Sequence, residues 1–165
     1  MAGEYFSGSG LEAVDARGRV HLPRFVRETL ARRSDSRTAL LGVHESDDCL
    51  TGFDPGYAQI VHAELERRRL RDEAAGIDGA HHDRVRRAFG LTEERPIDEK
   101  GRIALPELIR RRGRIEGLAL FVGTGGAFEV WDPERARADG GEELRALAEY
   151  WLGAQRASSE REEEA

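Results

Sequence analysis

With 165 residues, 39% of them hydrophobic, the chain has apolar material for one domain or for two small units that share a modest core. Its net charge of −6 argues on its face against a polyanionic partner, and its single cysteine, Cys49, excludes an internal disulfide and any cysteine-rich zinc site. No apolar run reaches the roughly 20 residues that span a bilayer, and the opening Met1 to Ser7 lacks the basic then apolar pattern of a signal peptide, so a cytoplasmic protein without membrane contact is expected. Cys49 itself reads as a small buried apolar residue.

The average charge hides an uneven distribution. From Asp15 to Arg33 there are six basic residues (Arg17, Arg19, Arg24, Arg27, Arg32, Arg33) against two acids, a net of +4. From Asp98 to Arg114 there are six (Lys100, Arg102, Arg110, Arg111, Arg112, Arg114) against three, a net of +3, which leaves −13 for the remainder. Two short basic windows in an acidic chain point to two places where an anion could be met. The windows are also copies: Val14 Asp15 Ala16 Arg17 Gly18 Arg19 Val20 His21 Leu22 Pro23 matches Ile97 Asp98 Glu99 Lys100 Gly101 Arg102 Ile103 Ala104 Leu105 Pro106 at an offset of 83. Thr51 Gly52 Phe53 Asp54 Pro55 then answers Glu129 Val130 Trp131 Asp132 Pro133 at an offset of 78, the second copy having lost five residues between.

In chain order, Leu11, Ala13 and Val14 and then Val20 and Leu22 predict two short strands joined by a tight turn. Gly18 supplies the positive φ of that turn and Asp15 accepts backbone N–H groups across it, which holds Arg19 beside it. Pro23 suits the first position of a helix carrying Phe25, Val26 and Leu30. A second hairpin is predicted from Ala39 to Val43 with Leu50 to Asp54. A helical insert follows, from about Pro55 to Ala75 and from Ala80 to Phe89, broken near Gly76 to Gly79. The second copy repeats the scheme: Asp98 and Gly101 form the turn, Pro106 opens a helix that stops at Gly113, and Leu118 to Gly123 pairs with Ala127 to Asp132 through a Gly-rich hairpin turn. Leu144, Leu147, Ala148, Trp151 and Leu152 form the apolar stripe of a terminal helix, with Trp151 read as packing. The acid-rich end from Ser158 is expected to be a solvated, disordered tail.

The duplicated Asp x x Gly Arg segment, its Leu Pro ending and the closing Phe128 Glu129 Val130 Trp131 Asp132 resemble the MraZ family of bacterial transcriptional regulators, over about Tyr5 to Ala138. One such segment is shared by the whole AbrB-like group; two at this separation around a helical insert are specific. The resemblance implies an α+β, mainly β-barrel fold of tandem AbrB-like swapped-hairpin units, at 5–55 and 91–138, with the insert at 56–90, a terminal helix at 139–157 and a tail at 158–165. It implies a ring-shaped homo-oligomer that binds repeated short sites on double-stranded DNA in the nucleoid. The implied role is repressor of the cell-division and cell-wall gene cluster, its own promoter included. It places the DNA contacts on Arg17, Arg19, Lys100 and Arg102, around the structural positions Asp15, Gly18, Pro23, Asp98, Gly101 and Pro106. The family usually opens with Phe, Arg, Gly, whereas Phe6 and Gly8 here flank Ser7.

Three other readings compete. The motif arginines could serve only as ion-pair partners of Asp15 and Asp98, although exposed pairs stabilise little and do not account for a duplication. An enzyme would have to be built from His81, His82 and Asp83 with His44 or Glu45, but two histidines on one helical face need a spacing of i and i+4, so no metal, cofactor or catalytic residue is expected. An antitoxin-like protein-interaction module of the same fold group remains the alternative, distinguished by a flexible partner-binding tail behind a single unit.

Overall fold

The computed structural model describes residues 4–165; residues 1–3 of the opening segment read above lie outside it. The first copy runs β1 (Ser9–Ala13), β2 (Arg19–His21), α1 (Arg24–Arg33), β3 (Thr38–Val43) and β4 (Leu50–Phe53). After a 3-10 turn at Pro55–Tyr57, the insert consists of α2 (Ala58–Ala74) and α3 (Ala80–Val85), the latter prolonged by one wider π turn over Arg86–Gly90. The second copy runs β5 (Glu93–Pro96), β6 (Arg102–Ala104), α4 (Glu107–Gly113), β7 (Leu118–Gly123) and β8 (Phe128–Trp131), and α5 (Pro133–Asp139) and α6 (Glu142–Glu164) follow.

The architecture is α+β and largely antiparallel, but it is not the closed barrel expected. Six strands form one open sheet in the order β1-β7-β8-β4-β3-β5, and β2 and β6 form a separate two-stranded ribbon. The strands flanking each Asp to Arg turn also do not continue as a hairpin. Val14 and Val20 make a single bridge, after which β1 leaves to pair over five residues with β7, from Ser9 opposite Val122 to Ala13 opposite Leu118. In the second copy β5 leaves in the same way to pair with β3, Thr38 lying opposite Pro96. Each arm thus gains a longer ladder from the other copy than its own neighbour could offer. The hairpins β3-β4 and β7-β8 form as expected and join through β4 and β8.

Side-chain alternation sorts the sheet into two faces. Ala39, Leu41, Val43, Leu50, Ala119, Phe121, Phe128 and Val130 point to one side, where they meet Val20 and Ile103 of the ribbon, Val26 and Leu30 of α1 and Ile109 of α4 in one continuous core. On the other side Leu120 and Trp131 pack against Ala136 of α5 and Ala148 of α6, with Leu144 and Trp151 partly buried there. Trp151 donates its indole N–H to Ser9 Oγ at 2.9 Å, tying the terminal helix to β1. Cys49 is buried at the rim of this second cluster, and burial pushes its thiol well above the ordinary cysteine range.

Helix boundaries differ from expectation at both prolines and at the C-terminal end. Pro23 and Pro106 are cap residues with extended ψ of 153° and 133°, and the helices begin one residue later, at Arg24 and Glu107. The terminal helix continues through the acid-rich segment to Glu164, because Arg, Gln, Ala and Glu are good helix formers that need no buried face to extend a helix already anchored. At the other end of α1, Arg33 lies between the rings of Phe6 and Tyr57, 5.0 and 5.1 Å from their centroids. It donates to Gly126 O at 2.9 Å and pairs with the buried Asp54 at 2.8 Å. One cation of the first basic window is therefore committed to joining α1 to the hairpin turn of the second copy.

Gly52 on β4 shows how closely the two copies interdigitate: a Cβ there would lie 2.2 Å from Cζ of the buried Phe128 ring. Gly52→Ala is therefore expected to cost about 1 to 3 kcal/mol, since the ring has no free volume to enter, and to lower the urea midpoint accordingly. Unchanged stability would show that Phe128 can relocate.

Candidate nucleic-acid interface

The ribbon places the four sequence-predicted cations together. Leu22 N–H donates to Gly101 O and Leu105 N–H donates to Gly18 O, each at 2.9 Å, and between these bonds Arg19 faces Ala104, Val20 faces Ile103 and His21 faces Arg102. Val20 and Ile103 point into the core, so the alternating positions Arg19, His21, Arg102 and Ala104 form the outer face. The two turns stand at opposite ends of this face, four residues of extended chain apart, or about 13 Å.

The turns are built alike. In the first, Asp15 Oδ1 accepts the backbone N–H groups of Arg17 and Arg19, both at 2.9 Å, and Oδ2 accepts Arg19 Nε–H at 2.9 Å. In the second, Asp98 accepts from Lys100 N, Arg102 N and Arg102 Nε, again at 2.9 Å each. Gly18 and Gly101 both have φ of +76°, which a side chain would strain. Arg19 and Arg102 are thus braced rather than loose, with side chains 35% and 25% exposed and guanidinium planes fixed by the carboxylate. Arg17 and Lys100, at the turn tips, are exposed and form no ion pair among the described residues.

Two further cations, missed in the sequence, lie against the turn glycines. A Cβ at Gly18 would lie 3.2 Å from Arg110 Nε, and one at Gly101 would lie 2.7 Å from Arg27 Cδ. Each turn glycine is therefore covered by an arginine from the helix of the other copy. Arg27 and Arg110 are themselves equivalent at the offset of 83, four residues after Pro23 and Pro106, and that coincidence is the signal that could have found them. The acidic neighbours besides the bracing aspartates are Glu99, which flanks the second turn, Asp35, which shares a groove with Arg27, and Glu12 and Glu28, both close enough to feel Arg27.

The transcriptional regulator MraZ of Azorhizobium caulinodans is 34% identical to this chain over 125 residues, which cover 76% of the chain and 75% of that protein. The regulator of the same name from Ligilactobacillus salivarius is 30% identical over 140 residues, 84% of the chain and 90% of that protein. The chain belongs to the MraZ family. A third MraZ, from Rhodospirillum rubrum, is 28% identical over 149 residues, 90% of the chain and 93% of that protein. No protein-family model matches the chain. The matches to these MraZ proteins span most of both chains, so the acidic remainder and Ser7 do not place the chain in another family.

The residues considered for catalysis are dispersed. His44 Nδ1 accepts backbone N–H groups from Ser46 and Asp47 at 3.2 and 3.0 Å, and its Nε2 is 3.3 Å from Glu129 Oε2. Glu45 pairs with Arg68, Asp83 pairs with Arg86, and His81 lies 3.9 Å from Glu66 while His82 is exposed. No group of three His, Cys, Asp or Glu residues that could hold a metal occurs among the described residues, and no described helix is long and apolar enough to cross a membrane.

The backbone N–H bonds from Arg19 and Arg102, above all, hold the carboxyl groups of Asp15 and Asp98 below their ordinary value of 3.8. A pKa lowered by folding means that the turn bonds are complete above 3.8 and are lost as pH falls through the folded value. The amide resonances of Arg17, Arg19, Lys100 and Arg102 are therefore expected to stay fixed from neutral pH to about 5 and to move only below the ordinary aspartate value. A titration midpoint above 3.8 would contradict the bracing role.

Proposed function

We propose that this protein is a sequence-specific DNA-binding repressor that acts on the cell-division and cell-wall gene cluster, its own promoter included, as a ring-shaped homo-oligomer on repeated short sites in the nucleoid. The observation that carries this reading is the pair of matched cationic turns at the two ends of one ribbon. Their separation of about 13 Å is close to the roughly 12 Å width of the B-DNA major groove, which admits a two-stranded ribbon. Arg17 and Lys100 at the tips would meet phosphates, while Arg19, Arg102 and His21 on the outer face would meet base edges. In this reading the segments 5–55 and 91–138 are two AbrB-like units that act together, and 56–90 and the terminal helix lie away from the DNA. One subunit neutralises few phosphates and the acidic remainder opposes approach, so tight binding would come from several subunits engaging several sites, an avidity gain of roughly 10² to 10⁴.

Titration of DNA from upstream of the gene, carrying one, two or three copies of the site at fixed salt, tests the proposal. Affinity is expected to rise steeply with copy number, and Arg17→Ala and Lys100→Ala are expected to weaken binding to every sequence, as removal of a phosphate-binding cation does. Arg19→Ala and Arg102→Ala should instead reduce discrimination at particular bases, by about 1 to 3 kcal/mol each. Equal affinity for one and three copies, or four variants that bind like the native protein, would refute it.

Asp15→Ala and Asp98→Ala provide a test in which charge and geometry predict opposite signs. Each removes a negative charge from a cationic face, which by charge alone strengthens DNA binding. Each also releases two backbone N–H groups and one guanidinium from a fixed arrangement, and the expected result is weaker binding, read in the same titration.

A further inference from the structure

We propose that Arg27 and Arg110 are DNA-contacting residues that act in trans, so that each reading unit is the turn of one copy completed by the helix arginine of the other. This rests on the DNA-binding reading above and extends it. The geometry is reciprocal: Arg110 lies over Gly18 and Arg27 over Gly101, while Arg27 follows Gly18 and Arg110 follows Gly101 in the chain. Neither arginine forms an ion pair among the described residues, in contrast to Arg24, Arg32 and Arg111 on the same two helices, which are matched by Glu28 or Glu107. Arg110 Nε is buried without a hydrogen-bond partner, a costly position for a guanidinium unless an anion arrives to share its charge. Arg27 is exposed, in a groove whose other charged residues are Asp35, Arg37, Asp98 and Glu99.

A planar guanidinium laid on a glycine turn loses little further freedom when it binds, and it donates a fork of N–H groups that suits a phosphate. Beside Arg17 at one end and Lys100 at the other, it gives each end two cations aimed at the same stretch of backbone. The missing side chain at each glycine therefore has two uses, the positive φ and the space in which the opposite arginine lies.

Arg27→Gln and Arg110→Gln keep the stem over the glycine and remove the charge. Each is expected to leave the thermal midpoint unchanged and to reduce the slope of log affinity against log salt by about 0.9 for each phosphate that is no longer neutralised, whereas the corresponding Arg→Lys variants should retain the slope. Placement in trans is read with duplexes in which single phosphates are replaced by neutral methylphosphonates. Arg110→Gln should become insensitive to the same replacements as Arg17→Ala, and Arg27→Gln to the same ones as Lys100→Ala. If Arg27→Gln groups with Arg17→Ala instead, the contacts are in cis and the proposal falls. It also falls if neither Gln variant alters slope or interference while Arg17→Ala and Lys100→Ala do, and in that case the DNA-binding face itself stands. Should Arg17→Ala and Lys100→Ala have no effect either, the face is wrongly placed and both readings fall together.

Discussion

The exchange of two backbone hydrogen bonds between the copies, Leu22 N–H to Gly101 O and Leu105 N–H to Gly18 O, is the constraint on which the rest of the molecule depends. These bonds close a ribbon only three residues long, too short to persist alone in water. It persists because its inner residues, Val20 and Ile103, are almost wholly buried in a core supplied by both copies. Ribbon and core are therefore one cooperative object. Neither copy can present its turn without the other, since the residue opposite each turn, the arginine above it and the sheet beneath it all belong to the partner copy.

Much of this was legible in the sequence, for identifiable reasons. The turns were legible because Asp, Gly and Arg at fixed spacing specify a local conformation that tertiary contacts did not need to alter. The hairpins β3-β4 and β7-β8 and the apolar stripe of α6 were legible because burial on one face leaves a period. Strand partners were not: alternation in Leu11 to Val14 says that one face is buried and says nothing of which strand lies beside it, and so β1 pairs with β7 and the expected barrel is an open sheet with a ribbon. Strand β5 was legible only through the repeat, because Glu93, Glu94, Arg95 and Pro96 carry no apolar signal of their own, although charge and proline are what an edge strand tolerates. Within the candidate site, Arg27 and Arg110 were hidden among other arginines of their helices. Helical spacing places charged residues on a face without saying which one leans toward a neighbour.

Electrostatically, the molecule concentrates charge instead of accumulating it. Some cations of the two windows are matched by acids away from the ribbon, such as Arg24 with Glu28 and Arg33 with Asp54, while Arg17, Arg19, Lys100 and Arg102 stand at it. At the ribbon the carboxylates of Asp15 and Asp98 are saturated by N–H groups from their own turns, so they act as internal ligands more than as local repellents. An acidic protein can thus keep a small, oriented cationic surface, while its long-range field discourages adhesion to anything that does not fit that surface.

The ribbon register has one more consequence. Where two identical subunits form such a ribbon, symmetry obliges both ends to carry the same side chains. Here the copies are fused, and the position that holds His21 at one end holds Ala104 at the other, with Arg17 likewise answered by Lys100. The two ends are chemically unlike although their backbones match. Fusion has turned a palindromic object into one with a head and a tail, whose halves mutation can tune independently and whose direction along any bound polymer is defined.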